Sequence, residues 1–354
     1  MKPNFPLLSA RGYRIPAEWE EQEAVLLSWP HNLDTWPGKF APIPAVYGSL
    51  IGEIVDHQAV WLLVCDDAME IEAKRLLTLA GVNHARVKFI TMPTRDTWCR
   101  DFGPISLVKN ENGQRVRLFT DWIFNGWGGK YYTQGYLEDD VVPSRLAKLF
   151  GVEVADIPII LEGGSIDTNG QGALITSESC LLNKNRNESF TLSMIEEVLR
   201  DALGVRQIIW VPKGIAGDDT DGHVDDTVRF VNADTVICMD EPDTSDENHL
   251  ILKDVQQRLK GVFLQNGLPL KTVLLPMPDP VEFAGERLPA SYANFLITNK
   301  KVLVPIYRCP KKDAEALAIL QALFPTRKVV GIDATDLVLG LGAIHCISQN
   351  IPAL

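Results

Sequence analysis

No stretch of this 354-residue sequence approaches the roughly 20 consecutive apolar residues that a membrane-spanning helix needs. The N-terminus, "MKPNFPLLSARGYRIPAEWEEQE", also lacks the unbroken apolar core of a signal peptide. A cytoplasmic protein with no membrane partner is therefore expected. The six cysteines, Cys65, Cys99, Cys180, Cys238, Cys309 and Cys346, are scattered without CxxC spacing, which argues against a zinc knuckle or a disulfide framework. Positive charge is short as well. Against 46 Asp and Glu stand 34 Lys and Arg, a formal net charge of −12, so nucleic acid is an unfavourable partner and a small cation a favourable one. No Pro/Ser-rich linker divides the chain, and one domain over residues 1–354 is expected, alone or as a homo-oligomer.

What the sequence does have is a succession of short β-branched runs ended by Pro, Gly or Asp, which read as strands. Examples are 24–30, 60–65, 87–93, 117–124, 157–164, 173–182, 207–212, 235–240, 272–278, 295–307 and 328–333. Apolar residues at helical spacing mark 68–81, 143–151, 189–204, 249–267 and 313–324. The class is α/β, with strands outnumbering helices. A doubly wound sheet alternates one strand with one helix, whereas here a strand-rich grouping recurs along the chain, which suits similar ββαβ units around an axis.

Polar residues within or beside such strands are the informative ones, because burying them costs free energy unless they are paired or used. "RDTWCRDFGP" (95–104) carries Asp96, Trp98, Arg100 and Asp101, a salt-bridged turn or part of a site. "ILEGGSID" (160–167) ends a strand on Glu162 and then two glycines, fitting a cap or a cleft residue. In "GDDTDGHVDDTVRF" (217–230), His223 and Asp225 leave one face if the segment is extended, suiting a base with its carboxylate, a metal site or a solvated loop. The closing "GLGAIHCISQNIPAL", read as strand-like, sets Cys346 among His345, Ser348 and Gln349, poorer core filler than the cysteine of "VWLLVC".

Gathered in one cleft, Cys346, His223 and the carboxylates of Asp101, Glu162 and Asp225 make a poor metal site and a good covalent one. Acids in excess over what a Cys–His pair requires imply a cationic substrate, and a guanidinium presents the forked N–H pairs that carboxylates bind bidentately. Such a cation would also help form the thiolate. Cys346 would attack the guanidinium carbon, His223 would protonate the departing ammonia, and water would release a ureido product, with no metal or organic cofactor required.

Eight ordered motifs, among them "LSWP", "TWCRDFGPISLV", "WIFNGWGGKY", "LEGGSIDTNG", "LLNKNRN", "DDTDGHVDDTVRFV", "PASYANFLI" and "AIHCISQNIP", resemble the agmatine deiminase and bacterial-type peptidylarginine deiminase family of the pentein superfamily. The resemblance implies a five-bladed α/β propeller of ββαβ units, Cys346 as nucleophile, His223 as acid/base, Asp101 and Asp225 as guanidinium-binding carboxylates, and Glu162 in support of His223. It makes Trp98, Trp122 and Trp127 aromatic walls of a substrate channel, a core or rim role being the other reading of Trp122 and Trp127, and it sets Asn294 along the site. His345, adjacent to the thiol, would point the opposite way in a strand. One departure concerns substrate length: the family reads close to "DETNGHVDN" where this chain reads "DDTDGHVDD", so Asp219 replaces the Glu paired with agmatine's distal amine. Other readings are a peptidyl- or free-arginine deiminase, with Arg95 or Arg100 meeting a carboxylate, a metal hydrolase on His223, Asp225 and Asp101, and a non-catalytic guanidine-binding protein.

Overall fold

The computed structural model describes residues 7–131 and 136–354. Five sheets share one pattern: an antiparallel pair, then a crossover, then a strand parallel to the second. Ile105–Glu111 pairs antiparallel with Gln114–Ile123, which runs parallel to Glu153–Ile160. Ile166–Thr168, Ala173–Ser177 and Gln207–Val211 repeat this order, as do Val228–Phe230, Thr235–Asp240 and Lys271–Pro276. Leu296–Ile297, Lys301–Ile306 and Lys328–Asp333 form the fourth. The fifth is assembled from both ends of the sequence. Ser348–Pro352 lies antiparallel to Gln22–Ser28, which is followed by the parallel strands Ala59–Val64 and Val87–Thr91.

The helices carry their apolar stripes onto these sheets. Leu192–Leu203 buries Ile195, Val198, Leu199, Ala202 and Leu203, starts at Thr191, whose side chain accepts from the Met194 N–H, and stops at Gly204 in the left-handed region. Each fully buried aliphatic chain contributes about 1.5–3 kcal/mol relative to exposure. Ile43–Val55, unmarked by sequence pattern, is a helix whose Gly48 sits where an added Cβ would lie 3.2 Å from Ala80 Cβ, so glycine here serves close helix packing.

Several expected strands end early. The run 173–182 stops at Ser177, whose hydroxyl caps a short helix, Glu178–Leu181. The run 295–307 is two antiparallel strands turning at Thr298–Lys300, where polar residues interrupt the apolar run. The helix expected over 249–267 ends at Leu259. In the expected closing strand, Gly340 ends a short 3-10 helix, 344–347 are turn, and strand begins only at Ser348.

What positions the site is the turn immediately before the first strand of each sheet. Asp101 lies in Cys99–Phe102, Glu162 precedes Gly163–Ser165, and His223 caps Val224–Asp226. Asn294 and Cys346 stand two residues before Leu296 and Ser348. Five equivalent places in five similar sheets thus supply the polar residues singled out from sequence.

Candidate active site

The five turns are joined in succession. Arg100 N donates to Cys346 O (3.1 Å), and Cys346 N to Asn294 Oδ1 (3.3 Å). Asn294 Nδ2 donates to Asp226 Oδ1 (2.9 Å), and Gly164 N to Asp101 Oδ1 (3.0 Å). The remaining link is Gly164 itself. A Cβ there would lie 2.6 Å from His223 Nδ1, 2.9 Å from Asp101 Oδ1 and 3.1 Å from Asp225 Oδ2, so any side chain would force the three apart. The second glycine of "EGGS" is the space on which they converge.

Cys346 and Asp101 line a cavity of about 410 Å³, together with Trp98, Trp127, Tyr131 and Asp219. The Cys346 sulfur receives an N–H from Asn294 Nδ2 at 3.0 Å and lies 3.9 Å from Asp225 Oδ2. Burial, then the charges of Asp225, Asp226 and Asp101, hold its pKa well above the ordinary thiol value. Burial likewise pushes Asp101 up to about 6, with Asp225 and Glu162 adding repulsion against the attraction of His223 and the Trp127 hydrogen bond. For His223 burial favours the neutral ring, but Asp101, Cys180 and Glu162 outweigh it and hold the pKa well above the usual imidazole range. Its Nδ1 is 3.6 Å from Asp101 Oδ1. The expected extended segment is instead a tight turn, and His223 and Asp225 converge through that turn rather than through strand alternation.

Of the three tryptophans expected as walls of a substrate channel, Trp98 and Trp127 line this cavity. Trp98 packs 5.9 Å from Trp36, beside Gly340 and Gly342, where side chains would collide with its ring. Trp127 holds a left-handed backbone (φ 53°) within the "GWGG" turn and donates its indole N–H to Asp101 Oδ2 at 2.9 Å. A bulky residue in that conformation is strained, and the strain accompanies a bond to the site. Trp122 does not line the cavity. It is buried with Leu118, Ile157 and Ile159 in another apolar cluster, its N–H on Thr120 Oγ1 at 2.7 Å, because its place in strand Gln114–Ile123 turns it into that cluster.

Asp219 lines the same cavity, bonded to the Tyr131 hydroxyl and pushed up to about 6 by burial and by Asp218. Arg95 is exposed at the same cavity, whereas Arg100 is buried away from it, on Gln349 Oε1 and Asn350 Oδ1 (both 2.9 Å).

Four residues of the surroundings escaped sequence reading. Glu162 Oε1 is bound by Arg186 Nε (2.6 Å), both side chains fully buried, and Glu162 presents an atom within 4.8 Å of Cys180 and His223. Glu162, Cys180 and His223 could in principle hold a metal ion, but the guanidinium of Arg186 beside Glu162 and Cys180 already supplies the cation there. On the far side of the thiol, His345 places Nδ1 2.6 Å from Asp225 Oδ2 and Nε2 2.9 Å from Glu18 Oε2. The strand expected at His345 is instead a turn, and its ring shares Asp225 Oδ2 with the Cys346 sulfur. Glu18 stood in the acidic run "EWEEQE", which reads as a solvated surface, and Tyr131 closed the motif "WIFNGWGGKY" without being distinguished. For Cys180, the "SES" before it was the available signal of a helix start rather than a continuing strand.

A buried thiol, an imidazole and several carboxylates around a small cavity define the class of covalent hydrolases that act on a cationic substrate. The chain belongs to the Porphyromonas-type peptidyl-arginine deiminase family, whose model matches residues 14–352. A Vibrio parahaemolyticus relative, named as a candidate agmatine deiminase, is 35% identical over 361 residues and 97% of each chain. A solved structure of C. jejuni agmatine deiminase, a cysteine-to-serine variant with substrate bound, is 34% identical, with a TM-score of 0.85 over 96% of each chain. Agmatine deiminase of Enterococcus faecalis is 29% identical, with a TM-score of 0.90 over 99% of each chain. No helix among the described residues is long and apolar enough to cross a membrane.

Proposed function

We propose that this protein is an agmatine deiminase, hydrolysing agmatine to N-carbamoylputrescine and ammonia on the way to putrescine. The observation that carries the reading is Cys346 at one cavity with Asp101 and Asp219, so that more than one carboxylate lines the space the thiol opens on. A molecule with a guanidinium at one end and an ammonium at the other matches that charge distribution.

In this mechanism Asp101 and Asp225 hold the guanidinium, Asp225 through Oδ1, which is buried without a partner among the described residues. The bound cation offsets the carboxylates that hold the thiol protonated, so the thiolate forms when substrate is present. Sulfur attacks the guanidinium carbon, and His223, kept protonated by its acidic surroundings, gives its proton to the leaving ammonia. The neutral ring then takes a proton from water, which attacks the thiouronium carbon and expels the thiolate. Glu162 supports His223, Asn294 Nδ2 steadies the sulfur, Trp98 and Trp127 flank the chain, and Asp219 with Tyr131 receives the distal ammonium.

The same proposal takes residues 1–354 as one catalytic domain and the five sheets as blades of a propeller, supported by the recurrent sheet pattern and the succession of joined turns. Cytoplasmic residence, no nucleic-acid partner, and possible assembly of identical chains go with it. An arginine substrate is the second reading, favoured by Arg95 at the cavity, where an α-carboxylate would meet it. Ammonia release with mass detection of the ureido product, offered agmatine, free arginine and an arginyl peptide at equal concentration, decides between them. Turnover of agmatine alone supports the proposal, and turnover of an arginine substrate alone replaces it.

A further inference from the structure

Among the described residues, Cys65 is the one cysteine of six that is not buried. It follows the strand Ala59–Val64 and precedes Asp66, the cap of helix Asp67–Leu79. Its sulfur lies 3.6 Å from His31 Nε2 and 3.7 Å from Thr94 O. The His31 ring is held between two carbonyls, with Nδ1 2.9 Å from Trp29 O and Nε2 3.0 Å from Thr94 O. A carbonyl only accepts, and a neutral ring has one N–H, so both contacts are hydrogen bonds only when the ring is the imidazolium. That fixed cation stands against a partly exposed thiol, the setting in which cysteines become nucleophilic. Beside them His31, Trp29, Phe40, Asp66 and Met69 line a groove of about 810 Å³.

The electrostatics agree with the geometry. Burial opposes the charged ring, but its contacts with Cys65 and the Trp29 carbonyl push His31 up to about 9. Burial raises Cys65 and the charge of Asp66 adds to it, yet the His31 bond leaves the thiol below its ordinary value. Asp139 is a further acidic neighbour of His31. Cys346 is shifted the other way.

We propose that Cys65 and His31 form a second reactive-thiol centre, separate from the catalytic one, at which a low-molecular-weight disulfide forms a mixed disulfide that lowers activity. The Cys65 thiolate attacks one sulfur of the incoming disulfide. A new S–S bond forms, the old one breaks, and the departing sulfur leaves with the electron pair as a thiolate that takes a proton from water. The route to the catalytic cavity is short. Asn32, next to His31, bonds Asp96 Oδ2 at 3.3 Å, Thr35 bonds the same oxygen at 2.7 Å, and all three residues line the cavity of Cys346. Thr94, whose carbonyl faces both His31 and Cys65, leads directly into Arg95 and Asp96. An adduct that displaces the His31 ring pulls on both sides of that wall.

The test treats the reduced protein with 2-hydroxyethyl disulfide at neutral pH and follows the adduct by peptide mass spectrometry. The adduct is expected first on the Cys65 peptide, with Cys346 unmodified at that time. His31→Gln should slow it about tenfold or more through loss of the fixed cation, and Cys65→Ser should abolish it while leaving ammonia release from agmatine intact. The modified wild type should lose several-fold in kcat/KM and recover with dithiothreitol. First modification at Cys346, or an unchanged Cys65 rate in His31→Gln, overturns the centre, and a fully active adduct overturns its effect on activity. The labelling measurement uses no substrate, so its result is independent of the proposed deiminase reaction.

Discussion

On one side of the His345–Cys346 pair, Glu18 and Asp167 are met by Arg229, with Arg100 3.8 Å from Glu18 and His345 joining Glu18 to Asp225. There Arg229, His345 and Arg100 outweigh burial and hold the Glu18 carboxyl far below the usual carboxylate range. On the other side Asp101 and Asp219 are both pushed up to about 6, and Asp226 well above the ordinary value, by burial and the repulsion of neighbouring carboxylates. One face has buried charge matched by buried charge. The other holds carboxylates that are costly to ionise until a cation arrives, so removing one partner on the first face should destabilise the fold, while the second is free to meet a cationic ligand.

The largest test of that division removes the nucleophile. Cys346→Ala should lower ammonia release on the order of 10⁴-fold or more while shifting the urea unfolding midpoint less than a change on the matched face does. Glu18→Gln is that change. It takes from Arg229 and from His345 one of the two carboxylates each meets and should cost about 3 kcal/mol of stability in urea unfolding; an unaltered midpoint would remove the basis of the comparison.

Two further measurements concern the unmatched face. Asp101 and Asp219 must both be ionised to hold the cation, and each gains its proton as pH falls through about 6. From these two carboxylates kcat/KM for agmatine should drop about 100-fold between pH 7 and pH 5, and Asp219→Asn should reduce that drop to about 10-fold. An identical drop would show that Asp219 does not meet the substrate. The smallest effect is expected from Asp219→Asn at pH 8: KM higher by about tenfold, kcat within about threefold, and stability within about 0.5 kcal/mol.

The unmatched face was legible in the sequence and the matched one was not. Cys346, His223, Asp101, Asp225 and Glu162 stood out because they interrupt apolar runs beside glycines, and those interruptions are the turns that precede each sheet. Glu18 was hidden because its role depends on being covered by Arg229, Arg100 and His345, all distant in sequence. For Trp122 the wall and core readings both stayed open for a related reason, and the core reading is the one it fits. Its strand belongs to the right sheet, but which face a strand residue enters depends on register, and the mixed polarity of "RLFTDWIF" left that register open. The helix Ile43–Val55 was missed because its two glycines, which read as breakers, serve close packing.

The strand Ser348–Pro352 completes a sheet whose other three strands lie within the first 91 residues. Cys346 is therefore held in part by a pairing more than 300 residues apart in the chain, and such distant closures are slow to find. During refolding from denaturant, the helical signal should return well before ammonia release does. Activity then serves as a clock for the last pairing event, and a partly folded chain carries its nucleophile without the means to use it.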